Sequence, residues 1–157
     1  MARFYQILFS FLVLNAALIF PAVAEESHAI QTPAAGLPPI QDSKAYKQFI
    51  LKPTNELSKL IYLVDRFGES KIEIQYEDHY YSAAFVGKVV RIFLATHYSQ
   101  ETAEHWISEW AVTSIPSGKP IWAKFPDGNF KLARELFREE LKALDQTLKE
   151  HPPICLA

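Results

Sequence analysis

Two kinds of hydrophobic spacing alternate along the chain. Leu57, Leu60, Ile61 and Val64 recur at three- and four-residue steps, which predicts a helix over 55–67 with one buried stripe. Thr54 precedes it as a cap and Gly68 follows as a left-handed stop. Ile72, Ile74 and Tyr76 then alternate with Lys71, Glu73 and Gln75, the period of a half-buried strand. Glu77-Asp78-His79 reads as a turn and Tyr80-Tyr81 as a short returning strand. Ser82 caps a helix over 83–97, whose Phe85, Val86, Val89, Val90, Phe93 and Leu94 form a broad apolar face. Gly87 inside that face costs up to ~1 kcal/mol against alanine, so a close helix–helix approach is expected there.

The spacing then predicts a helix over 103–112 capped by Thr102, with Trp106, Ile107 and Trp110 inward, and the chain must leave it before Pro116. Ser117-Gly118-Lys119-Pro120 is a turn, 121–125 a strand with Ile121, Ala123 and Phe125 on one face, and Pro126-Asp127-Gly128 a second turn. Asn129 is read as the cap of a last helix over 130–150, which Pro152-Pro153 ends. Upstream, Asp42 or Ser43 caps a short helix through Leu51. The pattern amounts to an α+β domain dominated by about five helices, with a short three-stranded antiparallel sheet.

The N-terminus reads as an address rather than as fold. One basic residue, Arg3, precedes an apolar run over 7–20, and Ala22-Val23-Ala24 supplies the small side chains that a signal peptidase accepts. Cleavage is expected between Ala24 and Glu25, giving a periplasmic or secreted protein. The run of 14 residues is short of the roughly 20 needed to span a bilayer, so no stable membrane span is expected after cleavage. An uncleaved anchor is the alternative. Residues 25–41, with three prolines and no apolar period, read as a flexible linker, 42–151 as the single domain and 152–157 as a tail.

Charge and cysteine usage narrow the partners. Removing the signal takes one of 16 bases and none of 18 acids, leaving the mature chain three negative with no basic stripe. Nucleic acid is excluded as a partner on that ground. Cys155 is the one cysteine, so any disulfide it makes is intermolecular.

The segment Thr102–Lys124 also carries a resemblance. Thr102, Ala103, Glu104, Trp106, Ile107, Ala111, Ser114, Ser117, Gly118, Pro120 and Lys124 match a pattern of helix start, serine-rich helix end, Ser/Thr-Gly-x-Pro turn and strand. In this the chain resembles the YfeK-like family of small exported bacterial proteins of unknown function. The likeness extends more weakly over Leu57 to Leu144. It implies export and the extent of the domain, and supplies no reaction. Glu77-Asp78-His79 stands where that family often has Arg-Asn-Gly.

Candidate chemistry centres on the same turn. Ser114 and Ser117 offer hydroxyls, Gly118 permits close backbone approach, Lys119 attracts an anion, and Trp122 alternates away from the buried strand face. These five residues are the candidate ligand-binding set. A serine with a nearby lysine can form a nucleophile–base pair, yet Ser-Gly-Lys is no known motif of that kind, and no catalytic residue is assigned. His105 and Glu109 share a helix face with Glu101 nearby, without a zinc spacing such as HExxH, so no metal or cofactor is expected. The reading that follows is a non-catalytic module binding a protein or envelope partner. The alternatives are a small-ligand or glycan-binding module using residues 113–122, and a serine hydrolase.

Overall fold

The computed structural model describes residues 37–152. After a 3-10 turn at Ile40–Asp42 come α1 (Lys44–Phe49), α2 (Glu56–Gly68), β1 (Glu73–Tyr76), β2 (His79–Ser82), α3 (Ala83–His97) and α4 (Ala103–Trp110). β3 (Trp122–Lys124), β4 (Phe130–Leu132) and α5 (Ala133–Glu150) complete the domain. The predicted signal segment and Cys155 lie outside the described residues.

Local signals start the helices where side-chain oxygens meet free backbone N–H groups. Ser43, Asn55, Ser82 and Thr102 accept from Tyr46, Ser58, Phe85 and His105 respectively. Asn55, not Thr54, is the cap of α2, because Asn55 and Ser58 form a reciprocal capping box. Gly68 closes α2 inside the helix; among the described residues the glycines with positive φ are Gly118 and Gly128.

The domain is α+β and helix-dominated, as the spacing predicts, but its antiparallel sheet has four strands, in the order β2-β1-β3-β4. The extra strand is β4, read from sequence as the first turn of the last helix. Asn129 does not cap that helix; its amide and backbone N–H both bond the Asp127 carboxylate, at 2.9 and 3.0 Å. Gly128 at φ +88° reverses the chain, and Phe125 N–H donates to Asn129 C=O at 2.8 Å. Phe130, Lys131 and Leu132 therefore pair with Lys124, Ala123 and Trp122. Three residues are too few for a period of two to show against a helical spacing that also fits.

One sheet face is the floor of the core. Ile74 and Ala123 lie on it, continued by the flanking Ile72 and Phe125, all buried. The helices pack against this side: α3 against β1 and β2, α5 against β3 and β4. α2 crosses the centre, touching α1, α3, α4 and α5. At the α2–α3 crossing Gly87 sits against Val64, where an added Cβ would come within 3.2 Å of Val64 Cγ1. This is the close approach that the glycine predicts.

A largely buried polar cluster ties Pro38 and α5 to α2. Glu140 of α5 accepts from Tyr62 Oη at 2.6 Å and from Arg66 Nε at 2.9 Å, both on α2. Arg66 also donates to Pro38 C=O. Burial, then the Glu140 carboxylate, push the Tyr62 phenol far above its ordinary range. Ile40 is 1% exposed. The predicted linker over 25–41 therefore gives way to folded chain before its end: Arg66 and the core hold residues 38–40, although their prolines read as a spacer.

Candidate functional site

Residues 113–120 form a small loop closed at its base. Ile121 N–H donates to Val112 C=O, Ser114 N–H to Lys119 C=O and Gly118 N–H to Ser114 C=O. Gly118 has φ +70° with nothing within 4 Å of a built Cβ. Its role is therefore the left-handed backbone of the turn rather than close approach to a neighbour.

The loop is latched to the β1–β2 turn. Ser117 Oγ donates into the Glu77 carboxylate, 2.7 Å from either oxygen, and lies 3.1 Å from Ser114 Oγ. Lys119 Nζ is 2.9 Å from both Asp78 oxygens and 4.0 Å from Glu77. The hydroxyls of Ser114 and Ser117 hold Glu77 below the usual carboxylate range, and the Lys119 ammonium does the same for Asp78. Asp78 in turn raises Lys119. Glu77 adopts φ +56°, an uncommon conformation for a residue with a Cβ.

This geometry changes what the predicted residues can do. Lys119 is a paired ammonium and a poor proton acceptor, and Ser117 spends its proton on an anion. The pair is not arranged as nucleophile and base. Ser114, Ser117 and Lys119 do converge, with Ser114 buried and the other two exposed. They converge on Glu77 and Asp78, which the sequence pattern marks only as hairpin-turn acids. Nothing in local spacing connects positions 40 residues apart.

Trp122 belongs to a different surface. Register places it opposite Gln75 and Leu132, with Glu73 opposite Lys124. Since Ala123 faces the core, Trp122 and Lys124 lie on the outer sheet face with Tyr80 and Phe130. Lys124 Nζ pairs with Glu73 at 3.1 Å and lies 5.0 Å from the Tyr80 ring centroid. Trp122 is half-buried, whereas Trp106 is buried, as their strand and helix positions predict.

A third surface is apolar. On α3, Ala83, Gly87 and Leu94 face inward, while Phe85, Val89 and Ile92 are 53, 51 and 69% exposed. The sequence places Phe85 and Val89 in the core; the Gly87–Val64 contact and the Arg91–Asp65 ion pair set the helix rotation that turns them out. Tyr81 extends the stripe, its ring stacked on Phe85 at 5.7 Å.

Glu101, His105 and Glu109 bring three donor atoms within 4.8 Å of one another on α4 and the residue stretch before it. His105 Nε2 is 3.6 Å from each carboxylate. The imidazole is well exposed, and such pairs are worth tenths of a kcal/mol. No helix among the described residues is long and apolar enough to cross a membrane. Comparison of the chain with family models, with curated proteins and with solved structures gives no match.

Proposed function

We propose that this domain is a non-catalytic interaction module that works after export and docks a protein partner on the outer face of α3. The observation that carries this reading is the row Phe85, Val89 and Ile92 on a helix whose inner face is already packed. A helix that is hydrophobic all round is normally enclosed on every side, and contiguous exposed apolar area marks interaction sites. α3 carries Lys88, Arg91 and no acid, and Arg91 is already paired with Asp65, so the matching surface is apolar with an acidic group toward Lys88. Membership of the YfeK-like family and removal of residues 1–24 belong to the same reading. The test places a photo-crosslinking residue at Val89 and, as a control, at exposed Lys142 of α5. A discrete adduct from position 89, lost in Ile92→Asp while the fold is kept, supports the module. Equal labelling from both positions refutes it, and an adduct of twice the chain mass identifies a second copy as the occupant.

The outer sheet face favours a second reading, binding of a glycan. Tyr80, Trp122 and Phe130 offer aromatic faces beside Gln75, Glu73 and Lys124, the mixture that sugar rings require. Titration with soluble wall oligosaccharides, followed by tryptophan fluorescence, would change the Trp122 signal in the native chain and not in Trp122→Phe. A flat titration retires this reading without touching the first.

A further inference from the structure

We infer that Glu101, His105 and Glu109 form a surface site for a divalent transition cation of the zinc class. Each side chain offers one donor atom, and the three atoms lie within 4.8 Å of one another. His105 Nε2 stands 3.6 Å from Glu101 Oε2 and 3.6 Å from Glu109 Oε2. That is too long for a hydrogen bond. It is close to what a metal requires: bonds of about 2.0–2.1 Å in a tetrahedral array hold the donors about 3.4 Å apart. Glu109 is exposed at the end of α4 and can swing to close the remaining gap.

Charge argues for a cation between them. Two carboxylates face one imidazole, so even a protonated ring would leave one negative charge uncompensated. Among the described residues His105 is the sole basic group within 4 Å of either carboxylate. Glu101 feels this most, because its side chain is 11% exposed and a carboxylate withdrawn from water needs a partner. Ser99 Oγ donates to its Oε1 at 3.2 Å, while Oε2, toward His105, accepts no hydrogen bond from the described residues. A divalent ion against a neutral imidazole and two carboxylates brings the sum to zero.

The donor set also selects the ion. Mg²⁺ and Ca²⁺ take oxygen ligands, whereas imidazole beside carboxylate suits zinc and its first-row neighbours. Three protein donors on an open surface leave further positions to water. The ligands are already held. Tyr98 Oη donates to Glu101 C=O at 3.0 Å, and His105 N–H donates to the Thr102 cap at 3.2 Å. Ser99 orients the Glu101 carboxylate, as residues behind a metal ligand commonly do. The four-residue steps are not HExxH, and Glu101 lies ahead of the helix, so local spacing predicts no metal here. The site shares no residue with the docking face of α3 or with the outer sheet face.

The experiment titrates Zn²⁺ into the full mature chain by calorimetry and follows the histidine ring nitrogens by NMR. One equivalent should bind and shift His105 Nε2, and excess Ca²⁺ or Mg²⁺ should not displace it. Glu101→Gln and His105→Gln should each weaken binding at least about tenfold, the least that losing even an orienting partner costs. His105 is exposed, so its variant keeps the fold and serves as the second arm should Glu101→Gln fold poorly. His79→Gln, a surface histidine on β2, should bind as the native chain does. Undiminished binding in His105→Gln overturns the inference. So does an equal loss in His79→Gln, displacement by Ca²⁺, or a His105 Nε2 resonance that ignores zinc.

Discussion

Ser117 Oγ stands 2.7 Å from each carboxylate oxygen of Glu77, across 40 residues of sequence. One hydroxyl proton is shared by the two oxygens, and the contact holds the loop to the hairpin. The folded pKa of Glu77 is lowered, chiefly by the Ser114 hydroxyl and then by that of Ser117. Its stabilisation is therefore complete above its ordinary 4.5 and is lost as pH falls through the lower folded value. Lys119 has the opposite sign: raised by Asp78, it contributes fully below its ordinary 10.5 and loses that contribution as pH rises through the folded value. Ser117→Ala should be less stable than the native chain at pH 7, and the gap should narrow well below pH 4, leaving only the bonds of Ser117 to Ser114 and to the Lys119 N–H. Denaturant titrations at the two pH values check this; a gap that does not narrow in acid contradicts it.

Glu140→Ala should cost about 3 kcal/mol, because it leaves Arg66, 3% exposed, buried without its carboxylate and removes the acceptor of Tyr62. Replacing Arg66 and Glu140 together by Met and Leu should recover only the part of that loss due to the unpaired Arg66, since well-packed apolar pairs commonly match buried ion pairs while Tyr62 Oη still lacks its acceptor. Urea unfolding of the single and double variants measures both.

Gly87→Ala sets two effects against each other. Helix propensity gains up to ~1 kcal/mol, while a Cβ 3.2 Å from Val64 Cγ1 and 3.4 Å from Val64 C=O overpacks the crossing at roughly 1–3 kcal/mol. Val64 is buried and stiff about χ1, so it gives little. The net change should be a loss of about 1 kcal/mol, larger for Gly87→Val, read as a lowered thermal midpoint.

Gly118→Ala should cost about 1 kcal/mol through φ +70° alone, because the surrounding space is open. Gly118→Asn should cost less, since asparagine tolerates that conformation. If alanine and asparagine are equally damaging, the backbone account of this glycine fails.

Ile92→Asp should change stability by less than about 0.5 kcal/mol, as a surface substitution. Leu94→Asp, two residues on and 3% exposed, should prevent folding. Circular dichroism of the two variants separates the outer face of α3 from the inner.

What the sequence by itself determined is what depends on near neighbours. The caps at Ser82 and Thr102, Ser43 as one of two candidate caps, the inward Ile74 and Ala123 and the close approach at Gly87 follow from spacing and residue type, since helices and strands repeat over a few residues. The helix rotation that exposes Phe85 and Val89, the burial of Ile40 and the pairing of Phe130–Leu132 as a strand were decided by the tertiary structure. So was the latch between Ser117 and Glu77. Each depends on groups that meet only when distant segments pack, and an apolar side chain reads the same in sequence whether its neighbour is core or solvent.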